Sequence, residues 1–569
     1  MIMRKKILFM ALCLLSQWAL AQKDAPKWVE KSKRAVFSVV TYDANDKLLN
    51  TGNGFFVSED GVALSDYTLF KGAARAEVIN FEGKQMPVKV IMGANNMCDV
   101  VKFRVDLGKK SAVALKIAAV VPAKDAQAVM LPYSTKKEFA CTMGKVEEVT
   151  NLSGPHKYFK LAMAMKDKQV SCPVLNADGE VFGLVQKDAS NDATHCYAIS
   201  APYANELSIG AIEFSNSDLN SIGIKKALPA KEDQALIALF MASSQLKADS
   251  YLSMLNDFVE QFPNSTDGYI RRANFYAANY SDADHLKLSE EDLDKALKMA
   301  DKKEDVLYNR SSVIYEVALR GKDVAYKDWN FDKALQEIQN AEAINPLPVY
   351  TQHEGNIYFA MANYAKAFEC FQKVNQSNIS SAQTFYSAAK TKEMMNGDLG
   401  EIIALLDSAV GKYAAPYPKE AAPYLSERAV IKSQKGLDKE AVADFDLYYQ
   451  TMGGNVSAMF YYLREQSNYK SKNFKRAIED IQKAVTLDST NKDYLAEYGA
   501  VNLRVARYDE AIKNLKDALA IDPKFAACYR LIGFCQLQQG KKTEACENFN
   551  KAKELGDEAV LPIIEKNCK

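Results

Sequence analysis

A fixed interval of 34 residues near the C-terminal end of the chain constrains the fold more than any other feature of the sequence. Two alanine series follow this interval: Ala477, Ala511, Ala545 and Ala484, Ala518, Ala552. From about residue 231 onward, apolar residues recur at helical spacing and strand signals are few. A repeat of this length is typical of stacked helix pairs, each of which buries its apolar face only against its neighbours. The sequence therefore predicts an all-α solenoid of about eight or nine helix pairs over residues 231–569.

The repeated alanines lie within a recognisable motif. An aromatic residue stands three positions before the small one in Phe474–Ala477, Tyr508–Ala511 and Tyr364–Ala367, and Pro523 ends one unit. These features resemble the tetratricopeptide repeat. The small residue is expected where two helices cross, because a larger side chain there would hold the helices apart.

The resemblance also implies a binding surface for other proteins or peptides. In the family, partners contact fixed positions of the first helix of each repeat, which form a groove. Carried over to this chain, those positions include aromatic and arginine residues of the kinds that anchor interfaces: Tyr462, Tyr469, Arg504, Arg530 and Phe534. The alternative, that these are ordinary packing or solvated positions, stays open at this stage.

The N-terminal end carries the signature of an export signal. Arg4, Lys5 and Lys6 precede a short apolar run that ends in Ala19–Ala21. This arrangement predicts a secretory signal peptide over residues 1–21. The run is shorter than a membrane-spanning helix requires, and no later segment is apolar enough to span. We therefore expect an exported protein, periplasmic or associated with the cell envelope of a bacterium, with no membrane span after signal cleavage.

Residues 22–212 have a different residue pattern from the helical region. Short β-rich runs such as Ala35–Val40 and Val181–Val185 alternate with Gly, Asn and Asp turns, which predicts an all-β barrel or sandwich. The polar stretch 213–230 is then interpreted as a linker to the helical region.

Four stretches of this β region, taken in order, resemble the motifs of trypsin-like serine proteases of the high-temperature-requirement group. They are Gly52–Val57, Met97–Lys102, Gly144–Val146 and Pro173–Gly183. The resemblance implies a double β-barrel. The expected fold class is thus a multidomain β and α protein, in which an N-terminal double β-barrel trypsin-like domain precedes an all-α tetratricopeptide solenoid.

The catalytic positions of this family are altered. By the resemblance, Thr68 stands where the family has its histidine, and Val170 stands where it has its serine nucleophile, whereas Asp99 is retained. A threonine hydroxyl does not accept a proton near neutral pH, and an isopropyl group has no lone pair. The role of the triad carboxylate is to orient an imidazole. The sequence therefore predicts a retained fold without catalysis.

A shifted active site is the alternative. Ser171 and Cys172 directly follow the expected nucleophile position, and each needs a base to become reactive. The histidines of the β region, His156 and His195, lie away from the family's position in the sequence. Geometry decides this question, because triads are recognised in space and not by order along the chain.

Composition excludes several other functions. The chain has 72 basic and 72 acidic residues, so no net charge attracts it to nucleic acid. Its ten cysteines show no Cys/His ligand spacing, so neither a metal nor any other cofactor is expected. The pairing of the cysteines is left open by the sequence.

The leading hypothesis is a protein-binding scaffold of the cell envelope, with an inactive trypsin-like domain and a helical groove for partners. One alternative is a serine or cysteine endopeptidase with a non-standard site at Ser171 or Cys172, whose repeats recruit substrate. Another is a self-assembling structural protein.

Overall fold

The computed structural model describes residues 26–136, 141–152, 156–187, 194–211 and 216–568. The predicted signal peptide, residues 1–21, lies outside these residues. The chain divides into two compact units, residues 1–275 and 276–569.

The first β-barrel is closed by six antiparallel strands in the order β1-β2-β3-β6-β5-β4. The strands are β1 Val36–Tyr42, β2 Leu48–Phe56, β3 Val62–Ser65, β4 Arg75–Ile79, β5 Gln85–Asn95 and β6 Val100–Val105. Side chains that alternate along β1 and β2 meet inside, where the rings of Phe37 and Phe56 lie 4.6 Å apart. Two short helices accompany this barrel, α1 Val29–Ser32 and α2 Tyr67–Phe70.

The second barrel repeats this design with six more strands in the order β10-β11-β12-β9-β8-β7. They are β7 Gln127–Met130, β8 Thr142–Asn151, β9 Lys157–Ala162, β10 Pro173–Leu175, β11 Val181–Val185 and β12 Cys196–Ser200. An apolar layer joins the two barrels, since Phe55 and Leu64 of the first barrel share a buried cluster with Leu175 and Leu184 of the second. The predicted double β-barrel is confirmed.

The chain after the second barrel returns to the first one. Helix α3, Ser217–Asn220, is followed by Ile222 and Ile224, which are buried in the core of the first barrel. The amide of Gly223 donates a hydrogen bond to the Ala73 carbonyl oxygen at 2.7 Å. Part of the stretch interpreted as a linker, residues 213–230, therefore packs on the barrel, and its limits as a domain boundary stay a prediction.

The remaining described helices follow one another along the chain: α4 Glu232–Ser243, α5 Ala248–Gln261, α6 Thr266–Asn279, α7 Ala283–Met299, α8 Lys303–Leu319, α9 Phe331–Ile344, α10 Pro348–Ala360, α11 Tyr364–Asn375, α12 Ala382–Met394, α13 Leu399–Val410, α14 Ala422–Gln434, α15 Asp438–Thr451, α16 Ala458–Lys470, α17 Phe474–Leu487, α18 Lys492–Arg504, α19 Tyr508–Ile521, α20 Ala526–Gln538 and α21 Lys542–Glu554. The last described helix is α22, Leu561–Asn567. The helical-repeat prediction is confirmed. None of the described helices combines the length and the apolar character needed to cross a membrane.

Small residues lie where paired helices cross, as the repeat motif predicts. Ala477, Ala511 and Ala545 have no exposed surface. A Cβ atom added at Gly499 would lie 2.5 Å from Cγ of Leu515 on the partner helix. The close approach of α18 and α19 therefore requires glycine at that position.

A disulfide joins the end of the chain to the last repeat. Cys546 of α21 is bonded to Cys568, which directly follows α22. The sequence had left the pairing of the cysteines open. Cys98, Cys141, Cys172, Cys370, Cys528 and Cys535 are free thiols.

Candidate active-site cleft

A cleft of about 780 Å³ runs along the barrels at the position where trypsin-like proteases carry their triad. Its lining includes Asn53 of β2, Thr68 of α2, Asp99 at the start of β6 and Val170 before β10. The structure thus brings together the three positions that the sequence assigned to the degenerate triad.

The Asp99 carboxylate is bound to Thr68. Its Oδ1 atom accepts one hydrogen bond from the Thr68 amide at 2.7 Å and another from Thr68 Oγ1 at 2.8 Å. In a working triad, the carboxylate accepts the N–H of an imidazole that in turn meets the nucleophile. Here the Thr68 hydroxyl binds the Asp99 carboxylate instead, and the threonine side chain has no basic atom that could accept a proton in the cleft. The pair fixes the short helix α2 to the start of β6.

The loop that carries Val170 is held by Asn53. The side-chain amide Nδ2 of Asn53 donates to the Lys168 carbonyl oxygen at 2.8 Å and to the Val170 carbonyl oxygen at 2.9 Å. In trypsin-like proteases, this loop supplies backbone N–H donors for the oxyanion hole. In this chain, two carbonyl groups of the loop accept hydrogen bonds from the buried side-chain amide of Asn53. The sequence did not identify Asn53 as their partner.

The alternative nucleophiles lie below the surface of the cleft. Ser171 and Cys172 have no exposed area. Ser171 has a φ of 63°, a left-handed conformation that glycine adopts freely and that the family's glycine-rich motif provides at this position. Burial raises the pKa of the Cys172 thiol to about 12. A thiol with such a pKa is almost wholly protonated at neutral pH and is a poor nucleophile.

Asp66 is a buried carboxyl of this site that sequence reasoning missed. It caps α2, because its Oδ1 atom accepts the Leu69 amide at 3.2 Å. Burial, and then the charge of Asp99, raises the pKa of Asp66 to about 7. The Asp66 carboxyl interacts with the Ser171 hydroxyl, although no hydrogen bond of regular geometry forms at Ser171 Oγ. A local sequence signal could have identified Asp66, because an aspartate three residues before Leu69 is a typical helix N-cap.

The histidines of the barrels are engaged elsewhere. Nε2 of His156 lies 2.7 Å from a carboxylate oxygen of Glu206. Nε2 of His195 lies 2.8 Å from a carboxylate oxygen of Glu147. No histidine is among the described residues that line the cleft. Across the part of the chain that the structure describes, no three Cys, His, Asp or Glu side chains converge in a way that would hold a metal ion.

The five candidate partner-binding residues of the helical array all have contacts within the chain. Tyr462 packs on the ring of Tyr494 at 5.0 Å, and Tyr469 on that of Phe474 at 5.5 Å. The Arg504 guanidinium also lies over Phe474, at 5.6 Å from the ring centroid.

The other two residues are in the next repeat. The Nε atom of Arg530 donates to a carboxylate oxygen of Asp557 at 2.6 Å. Phe534 packs edge-on against Phe549, with the ring centroids 5.4 Å apart. Four of the five are half-buried and Arg504 is exposed, so each combines a packing contact with surface that a partner can reach.

Two six-stranded barrels with a cleft at the triad positions define a trypsin-like peptidase domain, which is followed here by helical repeats of tetratricopeptide type. In agreement with this class, residues 52–184 match the family model of the trypsin-like peptidase domain.

Curated relatives match the helical region. The small glutamine-rich tetratricopeptide repeat-containing protein 2 of Saccharomyces cerevisiae is 33% identical over 91 residues, which are 16% of this chain and 26% of that protein. The TPR repeat-containing protein YpiA of Bacillus subtilis is 24% identical over 278 residues, 48% of this chain and 60% of YpiA. The chain thus spans about a quarter of the first relative and three-fifths of the second.

Among solved structures, the active form of the Rv3671c protease from M. tuberculosis is 19% identical, with a TM-score of 0.28. The match covers 36% of this chain and 86% of that one.

Proposed function

We propose that this chain is an exported scaffold of the bacterial cell envelope that binds other polypeptides through its helical array and does not cleave them. The trypsin-like domain is retained as a folded, non-catalytic module. It offers a cleft in which an extended peptide can bind.

One observation carries the non-catalytic part of this proposal. The Asp99 carboxylate is bound by the amide and the hydroxyl of Thr68 at 2.7 and 2.8 Å, in the place where catalysis needs an imidazole. Val170 offers no nucleophilic atom. Loss of triad members reduces the rate by about 10⁴ to 10⁶. The remaining carboxylate has a structural task, which is to attach α2 to β6.

The binding part rests on the helical array. Stacked helix pairs present an extended surface that single domains lack, and the curated relatives of this region are named for the same repeat. We assign the partner contacts to the exposed edges of Tyr462, Tyr469, Arg504, Arg530 and Phe534. The partners are proteins or peptides, and nucleic acid is not among them because the chain carries no net charge.

Export is supported by two features. The sequence of residues 1–21 has the pattern of a secretory signal. The disulfide between Cys546 and Cys568 is of a kind that persists in oxidising compartments such as the periplasm and is rare in the cytosol.

A second candidate, the endopeptidase with a shifted site, is favoured by one observation. The Asp66 carboxyl, whose pKa is raised to about 7 by burial and by Asp99, interacts with the Ser171 hydroxyl. A carboxylate with that pKa is a competent general base. The complete burial of Ser171 argues against this candidate, because a nucleophile must reach its substrate.

Active-site labelling separates the two functions. The full chain is treated with a fluorophosphonate, which labels activated serines, and separately with iodoacetamide, which labels reactive thiols. We expect no stoichiometric label at Ser171 or Cys172 in the folded protein. A label that disappears on denaturation and on Ser171→Ala or Cys172→Ala would overturn the proposal. Half-buried Ser58, which is not among the residues that line the cleft, provides the control substitution Ser58→Ala.

A further inference from the structure

The first compact unit contains a further cavity, of about 490 Å³, where the chain that returns to the first barrel meets helices α4 and α5. Residues 219–226 of the returning chain form one part of its lining, and residues 242–257 form another. No described residue lines both this cavity and the cleft at the degenerate triad. A cavity of this volume is large enough for a small molecule.

The lining of this cavity is apolar inside and open to solvent on one side. Leu219, Ile224 and Met254 line it and are buried, and together they are called the apolar floor below. Leu246 also lines the cavity but is 42% exposed, and Ser250 beside it is exposed as well. A molecule from solvent can therefore enter past these two side chains.

An ion pair joins α5 to the returning chain at the cavity. The Nζ atom of Lys225 lies 2.6 Å from a carboxylate oxygen of Asp257 and donates a hydrogen bond to Ser253 Oγ at 3.0 Å. All three residues line the cavity. The charges of Lys225 and Asp257 thus neutralise each other.

Lys226 is a cation of the lining that this ion pair does not include. Its Nζ atom donates a hydrogen bond to the Ile222 carbonyl oxygen. That carbonyl belongs to the peptide bond with Gly223, which lines the cavity, so the ammonium lies at the cavity wall. An ammonium has three N–H donors, and this contact uses one of them.

The Lys226 ammonium lacks a counter-charge. Among the described residues, no carboxylate forms an ion pair with it, and burial alone lowers its pKa. Asp249 also lines the cavity, but it is exposed, so water screens its charge. A half-buried charge without a partner costs free energy, and an anion placed beside it would remove that cost.

We propose that this cavity binds an aliphatic carboxylate, whose carboxylate group pairs with Lys226 and whose hydrocarbon chain lies on the apolar floor. The proposal goes beyond the function of the chain as a scaffold, because it involves neither the cleft of the barrels nor the surface of the repeats. A singly charged head group matches one unpaired lysine. A doubly charged phosphate would leave one negative charge without a partner, in a cavity that already contains Asp249 and Asp257.

The first test is calorimetric titration of the full chain with hexanoate, decanoate and dodecanoate, each below the concentration at which it forms micelles. We expect at least one of them to bind with one-to-one stoichiometry. The alcohol and the amine of the same chain length should bind at least about tenfold more weakly, because neither supplies a negative charge. The proposal is wrong if no carboxylate binds up to millimolar concentration, or if the alcohol binds as tightly as the carboxylate.

Substitution of Lys226 tests the head-group contact. Lys226→Met keeps an apolar stem but removes the charge, so the affinity for the best carboxylate should fall by at least about tenfold. Lys226→Arg keeps the charge and should retain most of the affinity. Lys231→Met removes an exposed lysine that does not line the cavity, and this matched control should leave the affinity unchanged. Equal affinities of the wild-type protein and Lys226→Met would overturn the assignment.

A substitution at the opening tests where the hydrocarbon chain lies. Ser250→Trp places a large side chain at the exposed side of the cavity and leaves Lys226 in place. We expect at least about tenfold weaker binding of the carboxylate, with thermal unfolding like that of the wild-type protein because Ser250 is exposed. A Ser250→Trp protein that unfolds normally and binds with wild-type affinity would show that the ligand does not occupy this cavity.

Discussion

The titration of Glu465 leads to a quantitative prediction for the protein without any partner. The pKa of this carboxyl is raised from 4.5 to about 9 by burial, Glu497 and Asp480. Between these two pH values, the folded array keeps a proton that the unfolded chain releases. Stability of the array is therefore highest at low pH within this window and falls as pH rises, by about 1.4 kcal/mol per pH unit. From pH 6 to pH 8, the expected loss is about 2.7 kcal/mol.

Glu465→Gln removes this slope, because the amide keeps the shape of the protonated carboxyl and does not titrate. Hydrogen exchange of peptides from α16 and α18 measures the local opening free energy. The ratio of exchange rates, wild type over Glu465→Gln at the same pH, cancels the intrinsic pH dependence of exchange. We expect this ratio to rise up to about 100-fold between pH 6 and pH 8. A ratio that is constant across this range would refute the reasoning, since it would mean that Glu465 ionises as an ordinary glutamate.

Three further changes test other parts of the structure. Arg464→Met leaves Asp480 buried without its cation, so urea unfolding should show that the free energy of unfolding falls by about 3–5 kcal/mol. Lys551→Met breaks an exposed ion pair on α21 and should lower the free energy of unfolding by less than about 1 kcal/mol. Equal losses would contradict the importance of burial. Cys568→Ser opens a disulfide that closes a loop of 22 residues, and the thermal unfolding of the last repeat should show a loss of about 3 kcal/mol; an unchanged transition would show that the bond adds nothing. Asn53→Ala leaves the Lys168 and Val170 carbonyls without their common donor, and exchange of the Val170 loop should accelerate by at least tenfold, with no change in α21; equal protection would remove Asn53 from the role of holding this loop.

The sequence predicted the architecture because the relevant signals are local or periodic. The 34-residue interval specifies where small residues must lie, and it predicts Ala477 at a helix crossing. The ordered short motifs, from Gly52–Val57 to Pro173–Gly183, carried the resemblance to trypsin-like proteases, and that resemblance implied the two barrels.

The details of the sites were not predictable, because they depend on side chains that are distant in the sequence. Asn53 holds carbonyl groups that are 115 and 117 positions away. The anionic partner of Arg530 was equally hidden, because Asp557 belongs to the segment after the last complete repeat. The register of the repeats does align Glu465 with two glycines, but only packing shows that its carboxyl is left without a partner.

The central claim is that this chain holds polypeptides without cutting them, and intact-mass spectrometry tests it most directly. A peptide selected for binding is incubated with the full chain for a day at a concentration above its dissociation constant, and its mass is then measured. We predict that the peptide remains bound and intact, as in a control with Thr68→Ala. Cleaved fragments that appear with the wild-type protein and vanish with Ser171→Ala would contradict the claim.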